Sequence, residues 1–248
     1  MQAVVALPEY VLLRALAMEL GTDRALTYAG LFHDLFNPYN TIRPGFEQLL
    51  AQLVAKGLIG QEDGRYRLTE QGQTLVTHGE AAANAYAAGR IALPTADLSR
   101  LVGILEALAE RLWTAPEPAA KPHQARVLRL NDIVEDATLH TRLDQAIYAL
   151  WMARDDAHNV AWRAAGFDGP TFDLLSQIWS GAATTLDDLY ARLKDNQRPE
   201  DIEHGVERLM ANNYLTHAGD QLALTPRGRA TRNAIERATD RTYFAAWA

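Results

Sequence analysis

Asp155, Asp156 and His158 set two carboxylates and an imidazole within four positions. Such a group suits metal ligation or acid–base work. His140 does not complete it: on one continuous helix, eighteen residues place it on the same face but ~27 Å away. The expectation is therefore a helix cap or a buried polar network. Tyr148, Trp151 and Trp162 share this run and read as core. With His158 they are also the candidates for lining a ligand cavity between flanking domains. Ser99, Ser176 and Ser180 lie within or at the ends of helix patterns and lack a nucleophile motif. There is no glycine-rich phosphate loop. No catalytic residue, metal ligand or cofactor is assigned, so the chain does not read as an enzyme.

Gln48 and Gln52 are a second kind of candidate, because glutamine reads adenine through two hydrogen bonds. Arg43, Lys56, Arg65 and Arg67 lie around them and suit phosphate oxygens. All six fall in or beside the stretch Phe46 to Leu75, and Ile202 to Thr231 repeats its plan 156 positions later without a gap. Leu68, Thr69 and Gly72 meet Leu224, Thr225 and Gly228. Each copy reads as an amphipathic helix, a tight hairpin, and a further helix starting on threonine.

The second copy carries Glu200, Asp201, Glu203 and Glu207 against Arg208 on the equivalent helix. Phosphates would be repelled there, so a protein partner suits it better than a duplex. Arg227, Arg229 and Arg232 oppose the dipole in the opening turns of the last helix. They read as partners of nearby acids, or as phosphate anchors beside the hairpin.

The elements that must hold these residues follow from pattern. Leu12, Leu13, Leu16 and Leu20 predict a first helix ending at Gly21. Thr27 caps a second, and a turn follows at Asn37-Pro38-Tyr39-Asn40. Pro44 opens the third, with Phe46, Leu49, Leu50, Leu53 and Val54 inward. Asp63-Gly64 is a two-residue hairpin turn, and Thr69 caps a fourth helix. The middle predicts helices over Glu80 to Ile91 and from a Thr95 cap to Trp113. A proline-rich linker follows at Ala115 to Pro122, and then a long helical run to Gly166. Phe172 to Trp179, a Thr185-capped helix and a helix opened by Pro199 come next. A hairpin turning at Gly219-Asp220 and a Thr225-capped helix complete the pattern.

The totals set outer bounds. At 248 residues and 48% hydrophobic composition the chain can build a core. The absence of cysteine excludes disulfides and thiolate chemistry. The N-terminus has no basic start, and no stretch approaches the ~20 apolar residues of a membrane span. A soluble, cytoplasmic protein with no membrane partner is expected. The net charge is -7 and no third of the chain is basic. Nucleic-acid binders usually carry a basic footprint, so any DNA contact must come from a local patch.

At Leu58-Ile59, the hairpin, and Leu68-Thr69-x-x-Gly72, the sequence resembles winged-helix repressors of the MarR type, over about 70 residues in each outer third. From Arg154 to the C-terminus it also resembles actinobacterial helix-turn-helix proteins of no established activity. The fold expected is mainly α with two small β-hairpin wings. A winged helix over 1–80, a helical connector over 81–167 and a second winged helix over 168–248 make up the chain. The MarR resemblance implies a transcriptional regulator that binds double-stranded DNA. The third helix would enter the major groove and Arg43, Gln48, Gln52, Lys56, Arg65 and Arg67 would make the contacts. Arg227 and Arg229 would be the second copy's anchors. A small-molecule effector in the helical middle is the accompanying expectation. The alternative is a scaffold that binds protein or ligand and not DNA.

Overall fold

The computed structural model describes residues 6–36, 39–89, 93–133 and 137–247. The expected turn at Asn37-Pro38 and the expected helix end at Ile91 lie outside them. The described residues are mainly helical, with two small antiparallel sheets. They fall into two compact units. Of the described residues, those within 1–35, 45–156 and 243–248 make up the first, and those within 36–44 and 157–242 the second.

The first unit is organised on α1 (Leu7–Leu20), which ends at Gly21 as expected. Leu13, Leu16, Ala17 and Leu20 are wholly buried, because α3 (Phe46–Ala55), α4 (Glu70–Ala88) and α6 (Pro122–Ile133) all pack on it. Even Glu19 is buried, and its carboxylate is met by Arg126 and Arg129 of α6. Before α2 (Tyr28–Phe36), Leu26–Thr27 forms a short strand, β1. Thr27 also caps the helix, accepting from Gly30 N–H at 3.2 Å. The expected hairpin is β2 (Ile59–Glu62) and β3 (Arg65–Leu68). With β1 it becomes a three-stranded sheet in the order β1-β3-β2. Asp63 and Gly64 both adopt positive φ, as a two-residue hairpin of this type demands.

Three local expectations are corrected. Pro44 does not open α3; the helix starts at Phe46 behind a left-handed Gly45. Thr95 makes no cap, since α5 (Thr95–Thr114) has Pro94 at that position and no side-chain cap bond. No helix begins at Glu80, because α4 runs unbroken from Glu70 to Ala88. Within α4, Gly79 is where Tyr10 packs: a Cβ there would lie 2.0 Å from the Tyr10 hydroxyl.

α7 (Leu139–Ala164) enters the second unit at Ala157. That unit continues with α8 (Gly169–Trp179), α9 (Leu186–Leu193), α10 (Pro199–Ala211), β4 (Leu215–Ala218), β5 (Gln221–Leu224) and α11 (Pro226–Ala245). α11 returns to the first unit from Tyr243. Asp168 caps α8, and Thr185 and Asp188 form a capping box on α9. Pro199 is the first residue of α10, as expected. Leu174, Leu175, Leu189, Ile202, Leu209 and Leu215 form the core.

Candidate nucleic-acid interface

α3 buries Phe46, Leu50 and Leu53 and presents Glu47, Gln48, Ala51 and Ala55 to solvent, with Gln52 half-buried at the margin. Both glutamines are therefore available on its outer side. Lys56 follows the helix, and its ammonium donates to both oxygens of buried Glu9, at 2.7 and 2.6 Å. This contact and a bond from Ala6 N–H hold the Glu9 carboxyl below the usual carboxylate range. Lys56 thus ties the end of α3 to the start of α1.

In the hairpin, successive side chains take opposite faces. Tyr66 faces α3, where Gln61 donates to its hydroxyl at 3.1 Å. Arg65 and Arg67 share the other face and are exposed. Arg65 donates to the Ala25 carbonyl at 3.3 Å, beside its ladder partner Thr27. Arg67 lies across Gly60, where a Cβ would meet Nε at 3.2 Å. Its Nη2 is 3.6 Å from the Glu62 carboxylate. A groove of about 470 Å³ runs between α3 and the hairpin, lined by Tyr28, Glu47, Ala51, Ala55, Gln61 and Tyr66 among others. Burial and the neighbouring Glu47 raise the Tyr28 hydroxyl above its ordinary pKa. Gly60, Tyr28 and Tyr66 are not among the residues expected at this surface. An isolated glycine within a strand was the available signal for Gly60, since it marks close approach.

Gln48, Gln52, Lys56, Arg65 and Arg67 thus belong to the first unit. Arg43 belongs to the second, where it donates to Asn196 Oδ1 at 3.2 Å. Asn40 donates to the same oxygen, and Thr41 N–H and Ile42 N–H donate to the Asn196 carbonyl.

On α10, Glu200, Glu203, His204 and Glu207 are exposed. Arg208, the basic residue among them, is engaged by Asp168, and Tyr190 donates to Glu203. Arg227 lies over the Tyr214 ring, 4.8 Å from its centre, while Arg229 is exposed. Arg232 is buried against the Phe172 and Trp179 rings, with Glu236 and Ser176 as polar partners.

Asp156, His158, Trp162, Tyr148 and Trp151 fall in different places. Asp156 is 1% exposed and accepts from His123 N–H and Gln124 N–H, both at 3.0 Å. It caps α6 from outside. Burial pushes its carboxyl up to about 6, against the pull of those two bonds. His158 Nδ1 lies 2.9 Å from Thr239 Oγ1. Trp162 is 1% exposed, stacks on Phe172 and donates to Asn159 Oδ1 at 3.0 Å. Tyr148 is half-buried in the first unit, and Trp151, expected in a core, is 63% exposed. Its position on α7 follows Leu150 and precedes Met152, both buried, so the helix turns it outward. Among the described residues no group of three or more His, Cys, Asp or Glu could hold a metal ion. Among them, too, no helix is long and apolar enough to cross a membrane.

Comparison with known sequences finds one family match. A helix-turn-helix family matches residues 123–248, from α6 to the C-terminus. No curated protein and no solved structure matches the chain.

Proposed function

The chain belongs to this helix-turn-helix family, and on that premise we propose that it is a DNA-binding transcriptional regulator of tandem winged helices resembling the MarR type. The first copy is the reading domain. The observation that carries this is the outer side of α3: Gln48 is exposed, Gln52 stands at its margin, and the adjoining hairpin carries exposed Arg65 and Arg67. The glutamines supply base contacts and the arginines phosphate contacts. Lys56 sets the angle of α3 through Glu9, and Arg43, Arg227 and Arg229 are further phosphate contacts. A role on DNA agrees with the cytoplasmic placement expected from the sequence.

The second copy is a scaffold that also meets a protein partner. Exposed Glu200, Glu203 and Glu207 support this, with Arg208 already engaged by Asp168. The rival reading, a protein-binding scaffold without DNA contact, draws on the same acidic helix. An effector in the central helices completes the proposal.

Selection of bound duplexes from a randomised pool tests the reading. The wild-type chain should enrich a defined sequence, and Gln48→Ala/Gln52→Ala should relax that preference, weakening binding to the selected sequence by about 1–3 kcal/mol per lost contact while leaving non-specific binding in place. A pool that stays random through successive rounds would favour the rival.

A further inference from the structure

A groove of about 210 Å³ opens between α5, α6 and α7 within the first unit. Ala109, Ala146 and Ala149 line it, and their short side chains leave the space between the helices. Trp113, 37% exposed, and Val127 supply apolar surface. Tyr148, Trp151, His158 and Trp162 do not line it.

The charges on the wall are unequal. Glu106 and Glu110 stand one turn apart on α5, where like charges repel. Arg142 donates to both Glu106 oxygens, at 2.7 and 2.6 Å. That contact holds the Glu106 carboxyl below the usual carboxylate range. Among the described residues the Glu110 carboxylate makes no hydrogen bond or ion pair. Two acids against one base leave the lining at -1. Trp113 lies three positions beyond Glu110, on the same side of α5, and an indole face stacks a second aromatic ring favourably.

We infer that this groove binds a small aromatic monocation, its ring against Trp113 and its ammonium between Glu106 and Glu110. An anion would meet an arginine already satisfied and a carboxylate left unneutralised. A neutral ring would leave Glu110 uncompensated. The volume falls below the ~300 Å³ at which drug-sized pockets begin, which suits a single ring. This site does not depend on the DNA-binding reading, and its test involves no DNA.

Calorimetric titration of the full chain with 2-phenylethylammonium tests the site. Phenylacetate and 2-phenylethanol serve as the anionic and neutral counterparts. The cation should bind saturably, with both counterparts weaker by about tenfold or more, since neither offers Glu110 a positive charge. Glu110→Gln and Trp113→Ala should each weaken the cation by about tenfold, because one removes the carboxylate that meets the ammonium and the other the indole that stacks the ring. Both positions are exposed, so the variants should keep the wild-type circular dichroism. Ala149→Leu, which fills the groove from α7, should abolish saturable binding. The inference is overturned if the cation shows no saturable binding, if either counterpart binds as well, or if the cation binds the three variants as it binds wild type.

Discussion

Arg67 and Glu62 face each other across the first hairpin at 3.6 Å, and both side chains are exposed. Exposed pairs of this kind contribute about 0–1 kcal/mol. Glu62 therefore does not lock Arg67, but it does compete with any phosphate for it. Glu62→Gln should strengthen duplex binding about threefold to tenfold at low salt, as one repulsive charge leaves the interface. Anisotropy against a labelled duplex reads this, and weakened binding would mean that Glu62 positions Arg67 for its contact.

Gly72 and Gly228 seat the starts of α4 and α11 against the hairpins before them. A Cβ on Gly72 would lie 2.2 Å from the Leu58 carbonyl oxygen, and one on Gly228 would lie 2.1 Å from that of Tyr214. Gly72→Ala and Gly228→Ala should each destabilise the chain by about 2 kcal/mol or more, since backbone must move. Thermal melts check this, and an unchanged melting temperature would contradict the close approach.

Glu19 joins α1 to α6 through Arg126 and Arg129. Removing one member of a buried ionic group leaves the others uncompensated, at a cost of about 3–5 kcal/mol. Glu19→Gln should approach that loss in urea denaturation, whereas Glu62→Gln on the surface should stay within about 1 kcal/mol.

Asp156 predicts a pH dependence. Its folded pKa, about 6, lies above its ordinary value of 3.8. Between those values the folded chain holds the proton more tightly than the unfolded chain. The group's contribution to stability therefore grows as pH falls from above 6 towards 4, by up to about 3 kcal/mol. Asp156→Asn keeps an acceptor for the α6 N-terminus but cannot titrate. Relative to that variant, wild type should gain stability between pH 7 and pH 5 in paired denaturation curves. A constant difference would refute the shifted carboxyl.

What could be read from the sequence was local. The hydroxyl of Thr69 accepts from Gly72 N–H at 3.0 Å and donates to the Gly57 carbonyl at 2.7 Å. Thr225 does the same with Gly228 and Asn213, at 3.0 and 2.6 Å. Caps and two-residue turns need only a few neighbouring residues, so their signals survive in a linear pattern. The pairing of Lys56 with Glu9 and of Arg43 with Asn196 spans 47 and 153 positions, and no local pattern announces it. The packing of Tyr10 on Gly79 is equally silent in the sequence, because the two lie on different helices 69 positions apart. The 210 Å³ groove was hidden because three helices with small facing residues create it, and no single stretch records their meeting.

The most direct test of the central claim is duplex affinity measured by anisotropy across a salt series, for wild type and for Arg65→Ala/Arg67→Ala. The account predicts wild-type binding that weakens steeply with salt. It also predicts a double variant whose log–log slope is shallower by about 1.8, two phosphate contacts at about 0.9 each. No binding at low salt, or a slope unchanged by the double substitution, would contradict DNA contact through this hairpin.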